Sequence, residues 1–147
     1  MITEIKKFDE LTINELYEIL KLRNDIFIVE QKCLYQDVDD RDKNSYHLMI
    51  KKKDEIIAYL RILEKDVSFE EISFGRVMVK ENYRGKGISR QLIQDAIDFI
   101  QNYLKEYEIR IEAQYYPINF YSSFGFVTIG DKFLSDGIEH IEMYYKK

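Results

Sequence analysis

The chain has 147 residues, 46% hydrophobic and 33% charged, enough for a core of its own under a well-solvated surface. Its net charge of −5 argues against general nucleic-acid affinity, which rests on neutralising phosphates, and is compatible with a cationic partner such as an amine. The single cysteine, Cys33, excludes an internal disulfide and argues against a cysteine-rich metal site. No stretch approaches the about 18 apolar residues of a membrane span, and the opening MITEIKKFDE lacks the apolar run of a signal peptide. The expectation is a cytoplasmic protein, one domain over residues 1–147, with no metal, nucleic-acid or membrane partner.

In chain order, Ile2–Phe8 reads as a first strand. Thr12 followed by Glu15 predicts a capping box, and Leu16, Ile19, Leu20, Arg23 and Phe27 then mark one face of a helix that runs out near Val29 or Glu30. The polar QDVDDRDKN segment reads as a loop. SYHLMIKK and EIIAYLRILE follow as two strands of a hairpin turning at Lys53-Asp54, and EEISFGRVMVK as a third. Ile88, Leu92, Ala96, Ile100 and Leu104 form an i, i+4 stripe and predict a helix after the glycine-containing loop. EIRIEAQ alternates as a strand, with Arg110, Glu112 and Gln114 on one face and Ile109, Ile111 and Ala113 on the other. Pro117 suits the start of a short helix stopped at Gly125, and two strands near Phe126–Ile129 and His140–Tyr145 complete the chain. The order β-α-β-β-β-α-β-α-β-β predicts an α/β fold with a mixed sheet of six to seven strands, a parallel join at its centre and flanking helices. An exposed last strand would be available to a second subunit, as in a homodimer.

The sequence concentrates its chemistry at VMVKENYRGKGISRQL, a strand, a loop with two glycines and a helix start. Glycines let the backbone turn sharply and approach a ligand, and successive N–H groups at a helix N-terminus converge on an anion. The spacing excludes a P-loop, and Arg90 occupies the third glycine position of the dinucleotide fingerprint. A third pattern, R-x-x-G-x-[GA], matches at Arg84, Gly87 and Ser89, with Ser89 the one departure. This loop resembles the pyrophosphate loop of the GNAT superfamily of N-acetyltransferases, and NFYSSFGF resembles the Y-x-x-x-G-F segment of the same family. FIVEQKCLYQDVDDRD, AYLRIL, FGRVMV, IRIEAQ, FYSSFGF and DGIEHIEM together are similar to its ElaA-like branch, over nearly the whole chain.

The resemblance implies the acyl-CoA N-acyltransferase fold, a sheet splayed between its fourth and fifth strands with acetyl-CoA wedged there. It implies that an amine, on a small molecule or a peptide, attacks the acetyl thioester directly. Arg84, Gly85, Lys86, Gly87, Ile88 and Ser89 would grip the phosphates, and the backbone of Val77, Met78 and Val79 would align the pantetheine arm and polarise the thioester carbonyl. Tyr121 matches the tyrosine that assists the departing thiolate. Glu112 is the first candidate base, against the alternative of an ion pair with Arg76 or Arg110. Glu30, Gln31 and Gln114 are candidates for holding the acceptor, and His47 and His140 are alternatives that titrate near neutrality. The acidic run Asp37, Asp39, Asp40, Asp42 fails as an EF-hand and reads either as a loop of turn-forming aspartates or as a negative rim for an amine. The acceptor contacts are expected in Glu30–Asn44 and Phe133–His140. The competing reading is a non-catalytic acyl-CoA-binding or regulatory module on the same fold.

Overall fold

The computed structural model describes residues 1–116 and 118–147, with Ile118 described by its backbone alone; the helix start expected at Pro117 lies outside the described residues. The elements are β1 (Ile2–Lys7), α1 (Ile13–Arg23), β2 (Tyr46–Lys52), β3 (Glu55–Leu63), β4 (Ser73–Val79), α2 (Ile88–Asn102), β5 (Glu108–Gln114), α3 (Ile118–Ser122), β6 (Val127–Ser135) and β7 (Ile138–Lys146). Their order is the one the sequence predicts. The single mixed sheet is corrected to two antiparallel sheets, β1-β2-β3-β4 and β5-β7-β6.

The two sheets meet at one parallel bridge, Ile72 to Ile109, where the Arg110 N–H donates to the Ile72 carbonyl at 3.0 Å. Beyond it β4 and β5 separate. The cause is local: the β3–β4 register slips between Tyr59 and Arg61, and opposite that slip Arg76 takes a φ of 52°. A bulge of this kind bends its strand and ends regular pairing, so the ladder toward β5 stops.

Local chemistry accounts for the helices. Thr12 accepts from the Glu15 N–H, and the Glu15 carboxylate accepts from the Thr12 N–H, closing the expected capping box. The buried face of α1 is rotated from the expected one: Ile19, Leu22 and Arg23 are buried, with Ile26 beyond, whereas Leu16 and Leu20 are half-buried. After Arg23 the helix widens into π-type turns over Asn24–Glu30, in which Gln31 and Cys33 donate to the carbonyls of Ile26 and Ile28, five residues back. Along α2, Ile88, Leu92, Ala96 and Ile100 are buried as predicted, and Leu104 lies past the helix end.

Two cores result. One packs α2 against Leu48, Ile50, Leu60 and Ile62 of the first sheet and Ile109 and Ile111 of the second. The other packs α1 against Met49, Tyr59 and Met78 on the opposite face. Each fully buried Leu or Ile contributes about 1.5–3 kcal/mol, so both sheets are held chiefly by α2 rather than by hydrogen bonds to each other.

The last strand is not an edge. β7 lies between β5 and β6, so the surface predicted for a second subunit is occupied by this chain itself. The expected loop Phe133–His140 is mostly hairpin: β6 runs on past a bulge containing Gly130 and turns at Asp136-Gly137, both with positive φ.

Candidate active site

The V-shaped gap between β4 and β5 opens into a cleft of about 980 Å³. On its β4 side the Lys80 N–H donates to the Ile57 carbonyl at 2.8 Å. By the period of two, Met78 also turns its amide toward β3, while Val77 and Val79 turn theirs to the open gap. Met78 is thereby the exception among the three strand residues expected at the pantetheine arm. Its side chain is buried against α1, and the edge offered to a ligand belongs to Val77 and Val79.

The glycine loop follows. Gly85 and Gly87 have φ of 75° and 79°, and no atom lies within 4 Å of where a Cβ would stand on either. Gly87 is the N-cap of α2. Among the described residues no hydrogen bond engages the amides of residues 85–90; the first bond of the helix runs from the Gln91 N–H to the Gly87 carbonyl. Six successive donors at a helix N-terminus, with open space over both glycines, fit a pyrophosphate. Lys86 stands 5.7 Å from the Tyr83 ring, and the half-buried Ser89 sits in the first turn of α2. Arg90 turns away: it donates to Ser123 Oγ at 3.0 Å and stacks 4.6 Å over the Phe124 ring.

Arg84 is already engaged. Its Nε donates to the Val79 carbonyl at 2.9 Å, and its two terminal nitrogens grip Glu30 at 2.6 and 2.9 Å. The structure thus places Glu30, expected at the acceptor, on Arg84, the arginine expected to bind the cofactor, which holds its carboxyl below the usual glutamate range.

Tyr121, on α3, packs its ring against Phe74, Phe120 and Phe126 at the inner end of the gap. Burial pushes its phenol up to about 12. Among the described residues its hydroxyl makes no hydrogen bond, so the proton stays available to a ligand atom. Glu112 lines the cleft from β5, exposed and, among the described residues, without an ion pair. Its expected structural partners are taken elsewhere: Arg110 pairs with Glu71 at 3.0 Å and Glu142 at 3.4 Å, and Arg76 with Asp37 and Asp39. Gln114 donates to Gln31 at 3.4 Å, bringing two of the three expected acceptor residues together across the cleft.

The histidines separate. His47 is fully buried; its Nε2–H donates to the Asp42 carbonyl at 2.9 Å, so its Nδ1 accepts from Tyr59 Oη at 2.6 Å. Burial holds it neutral by lowering its pKa. It is structural. His140 lines the cleft and pairs with Gln114 across β5 and β7; its Nδ1–H donates to the Ile138 carbonyl, which leaves Nε2 as the basic atom of the neutral ring.

Residues 21–147 match the model of the Acetyltransferase (GNAT) domain. The chain belongs to the GNAT family. Within it, the chain is 38% identical to Protein ElaA of Escherichia coli over 136 residues, 91% of this chain and 89% of that protein. It is 37% identical to a UPF0039 protein of Synechocystis over 96% of this chain and 92% of that one. Among solved structures, Escherichia coli ElaA superposes with a TM-score of 0.92 at 34% identity, covering 99% and 100% of the two chains. An acyl-CoA N-acyltransferase from Pseudomonas aeruginosa gives 0.91 at 33% identity over 99% of each. The acyl-CoA N-acyltransferase fold and the ElaA-like branch read from the sequence stand.

One constellation of this GNAT chain escaped the sequence reading. The acidic run is neither a set of free turn residues nor a negative rim, because arginines from three other elements consume it. Asp37 binds Arg23 at 2.9 Å and stands 2.8 Å from Arg76. Asp42 binds Arg23 at 2.6 Å and Arg61 at 3.1 Å, and Asp39 takes both terminal nitrogens of Arg61 at 2.7 and 2.6 Å. Burial raises the Asp39 carboxyl, but Arg61, the Arg41 amide and Arg76 outweigh it and hold the group at about 2. Only Asp40 is left in solvent, with Lys43 at 3.7 Å. The signal lay in Arg23, which the helical spacing had already put on a buried face: a buried guanidinium requires carboxylates.

Proposed function

We propose that the protein transfers an acetyl group from acetyl-CoA to a primary amine by direct attack, the acceptor lying on the α1 face of the cleft. What supports this reading most is one juxtaposition. A β4 edge with outward amides leads directly into six unengaged amides at the α2 N-terminus, and the bare Tyr121 hydroxyl lies at the inner end of the same gap. Acetyl-CoA supplies the thioester. The chain supplies the rest. Residues 85–90 and, once released from Glu30, Arg84 bind the pyrophosphate. The Val77 and Val79 amides align the pantetheine arm and polarise the carbonyl oxygen.

An amine near pKa 10 is mostly protonated at pH 7, so it must lose a proton before it attacks. Glu112, unpaired and facing the cleft, takes that proton directly or through one water. As the new C–N bond forms and the C–S bond breaks, the sulfur leaves as a thiolate. The Tyr121 O–H hydrogen-bonds this sulfur throughout and protonates it late, because a phenol at about 12 gives up its proton less readily than a thiol near 8.5, and the proton that the nitrogen sheds as the amide forms restores the phenol.

The test follows thiol release from acetyl-CoA across a panel of primary amines. Tyr121→Phe is expected to lower kcat about 100-fold with little change in the KM for acetyl-CoA, the loss typical of one proton-transfer group. Tight coenzyme A binding without turnover of any amine would overturn the reading in favour of a non-catalytic acyl-CoA-binding module.

A further inference from the structure

Around the acidic run stand four guanidinium groups, Arg23, Arg41, Arg61 and Arg76, and four carboxylates, Asp37, Asp39, Asp40 and Asp42, the exposed Asp40 lying 3.7 Å from Lys43. Arg23 and Arg61 are buried and neutralised. Arg76 is partly paired: its Nε stands 2.8 Å from the Asp37 carboxylate and one terminal nitrogen reaches the Asp37 carbonyl at 3.1 Å and Asp39 at 3.4 Å, while among the described residues its other terminal nitrogen has no partner. The Arg41 side chain is exposed, donates to Ser68 Oγ at 2.9 Å and, among the described residues, pairs with no carboxylate. Both line the cleft.

Arg76 is held in a strained backbone conformation by its contacts with Asp37 and Tyr35. It is the positive-φ residue of the β4 bulge, and its guanidinium lies 5.3 Å over the Tyr35 ring. A bulge re-aims a side chain, and strain in a non-glycine residue persists only where its surroundings impose it. Arg76 lines the cleft from β4 and Glu112 lines it from β5. They form no ion pair with each other.

We infer that the acceptor amine carries an acidic group, a carboxylate or a phosphate, which binds Arg76 and Arg41 while its nitrogen is presented to Glu112. This rests on the acetyltransferase reading and names its substrate class. An unpaired carboxylate facing a partly unpaired guanidinium across an open gap fits a zwitterion end to end. A polyamine would place its second ammonium beside the guanidiniums of Arg76 and Arg41, and like charges there repel.

The experiment measures thiol release from acetyl-CoA with matched acceptors: L-alanine against L-alaninamide, and O-phosphoethanolamine against ethanolamine. The acidic member of at least one pair is expected to have a kcat/KM about 10-fold or more above its uncharged partner; the pair that does so distinguishes carboxylate from phosphate. In Arg41→Gln and Arg76→Lys that ratio falls toward one. Both members are measured on the same enzyme preparation, so partial unfolding cannot produce the change. Equal or better use of the uncharged members, or a ratio indifferent to both substitutions, overturns the inference and leaves the acetyltransferase standing. Coenzyme A binding with no turnover of any amine overturns both.

Discussion

Residues 37–42 and residues 84–90 are both short, charged loops that border the cleft, and they dispose of their polar groups in opposite ways. In the first, three aspartates meet three arginines that come from α1, β3 and β4, with contacts down to 2.6 Å. In the second, among the described residues, six backbone amides meet no partner, and of its two guanidiniums Arg84 is held by a carboxylate from 54 residues away while Arg90 turns to Ser123. The first loop is part of the scaffold because its buried carboxylates are paired with arginines. The second is a site because its amides are not satisfied. Charge in the sequence alone does not tell the two apart; partner counting does.

The sharpest way to break this contrast is to unbalance the first loop. Asp42→Ala removes the carboxylate shared by Arg23 and Arg61 and leaves buried guanidinium groups uncompensated. It is expected to cost about 3–5 kcal/mol in denaturant unfolding. A loss under 1 kcal/mol would mean that water already serves these arginines. The second loop should respond in the opposite currency. Arg84→Gln touches only exposed partners, so unfolding changes by no more than about 1 kcal/mol. The Kd for coenzyme A, read by calorimetry, is expected to rise about 10-fold or more through loss of a charged phosphate contact.

The scaffold loop also has a pH signature that the glycine loop lacks. His47 is buried between Tyr59 and the Asp42 carbonyl, with the Phe8 ring beside it and Arg23 and Arg61 opposing its charge. Burial lowers its pKa in the fold. Between that lowered value and about 6.5 the unfolded chain binds more protons, so stability is fully present above pH 6.5 and declines as pH falls through the folded value. One such group changes stability by at most about 1.4 kcal/mol per pH unit. His47→Gln keeps the two hydrogen bonds within reach and should flatten unfolding free energy against pH below 6.5. A slope unchanged in the variant would assign the effect elsewhere.

How legible all this was follows from the range of each cause. The Thr12–Glu15 box, the Lys53 turn, the α2 stripe and the alternation of β5 are set within a few residues, and each stands where the spacing puts it. The glycine loop is equally local, which is why Arg84, Gly87 and Tyr121 could be singled out. The splay between β4 and β5 came only through the family resemblance; its cause, a bulge at Arg76 and pairing between strands that α2 separates, has no local signal in the sequence. The partners of Asp37 were not readable either, lying 14 and 39 residues away at Arg23 and Arg76. On α1 the spacing placed Ile19 and Arg23 on the buried face, and what it missed is that Leu22 and Ile26 share that face in place of Leu16 and Leu20.

The smallest expected effect tests whether the second loop is entirely open. Glu30 holds Arg84 with two short hydrogen bonds, both side chains being about 40% exposed. A pyrophosphate that recruits Arg84 must therefore displace Glu30, and an exposed ion pair of this kind is worth about 0–1 kcal/mol. Glu30→Gln removes that competition without shortening the side chain. It is expected to tighten coenzyme A binding by at most about 5-fold and to leave the melting temperature of the free protein within about a degree. If Glu30→Gln instead weakens binding, Glu30 is not a competitor for Arg84 but the brace that orients it, and the glycine loop would share with the aspartate loop a charge partner fixed in advance.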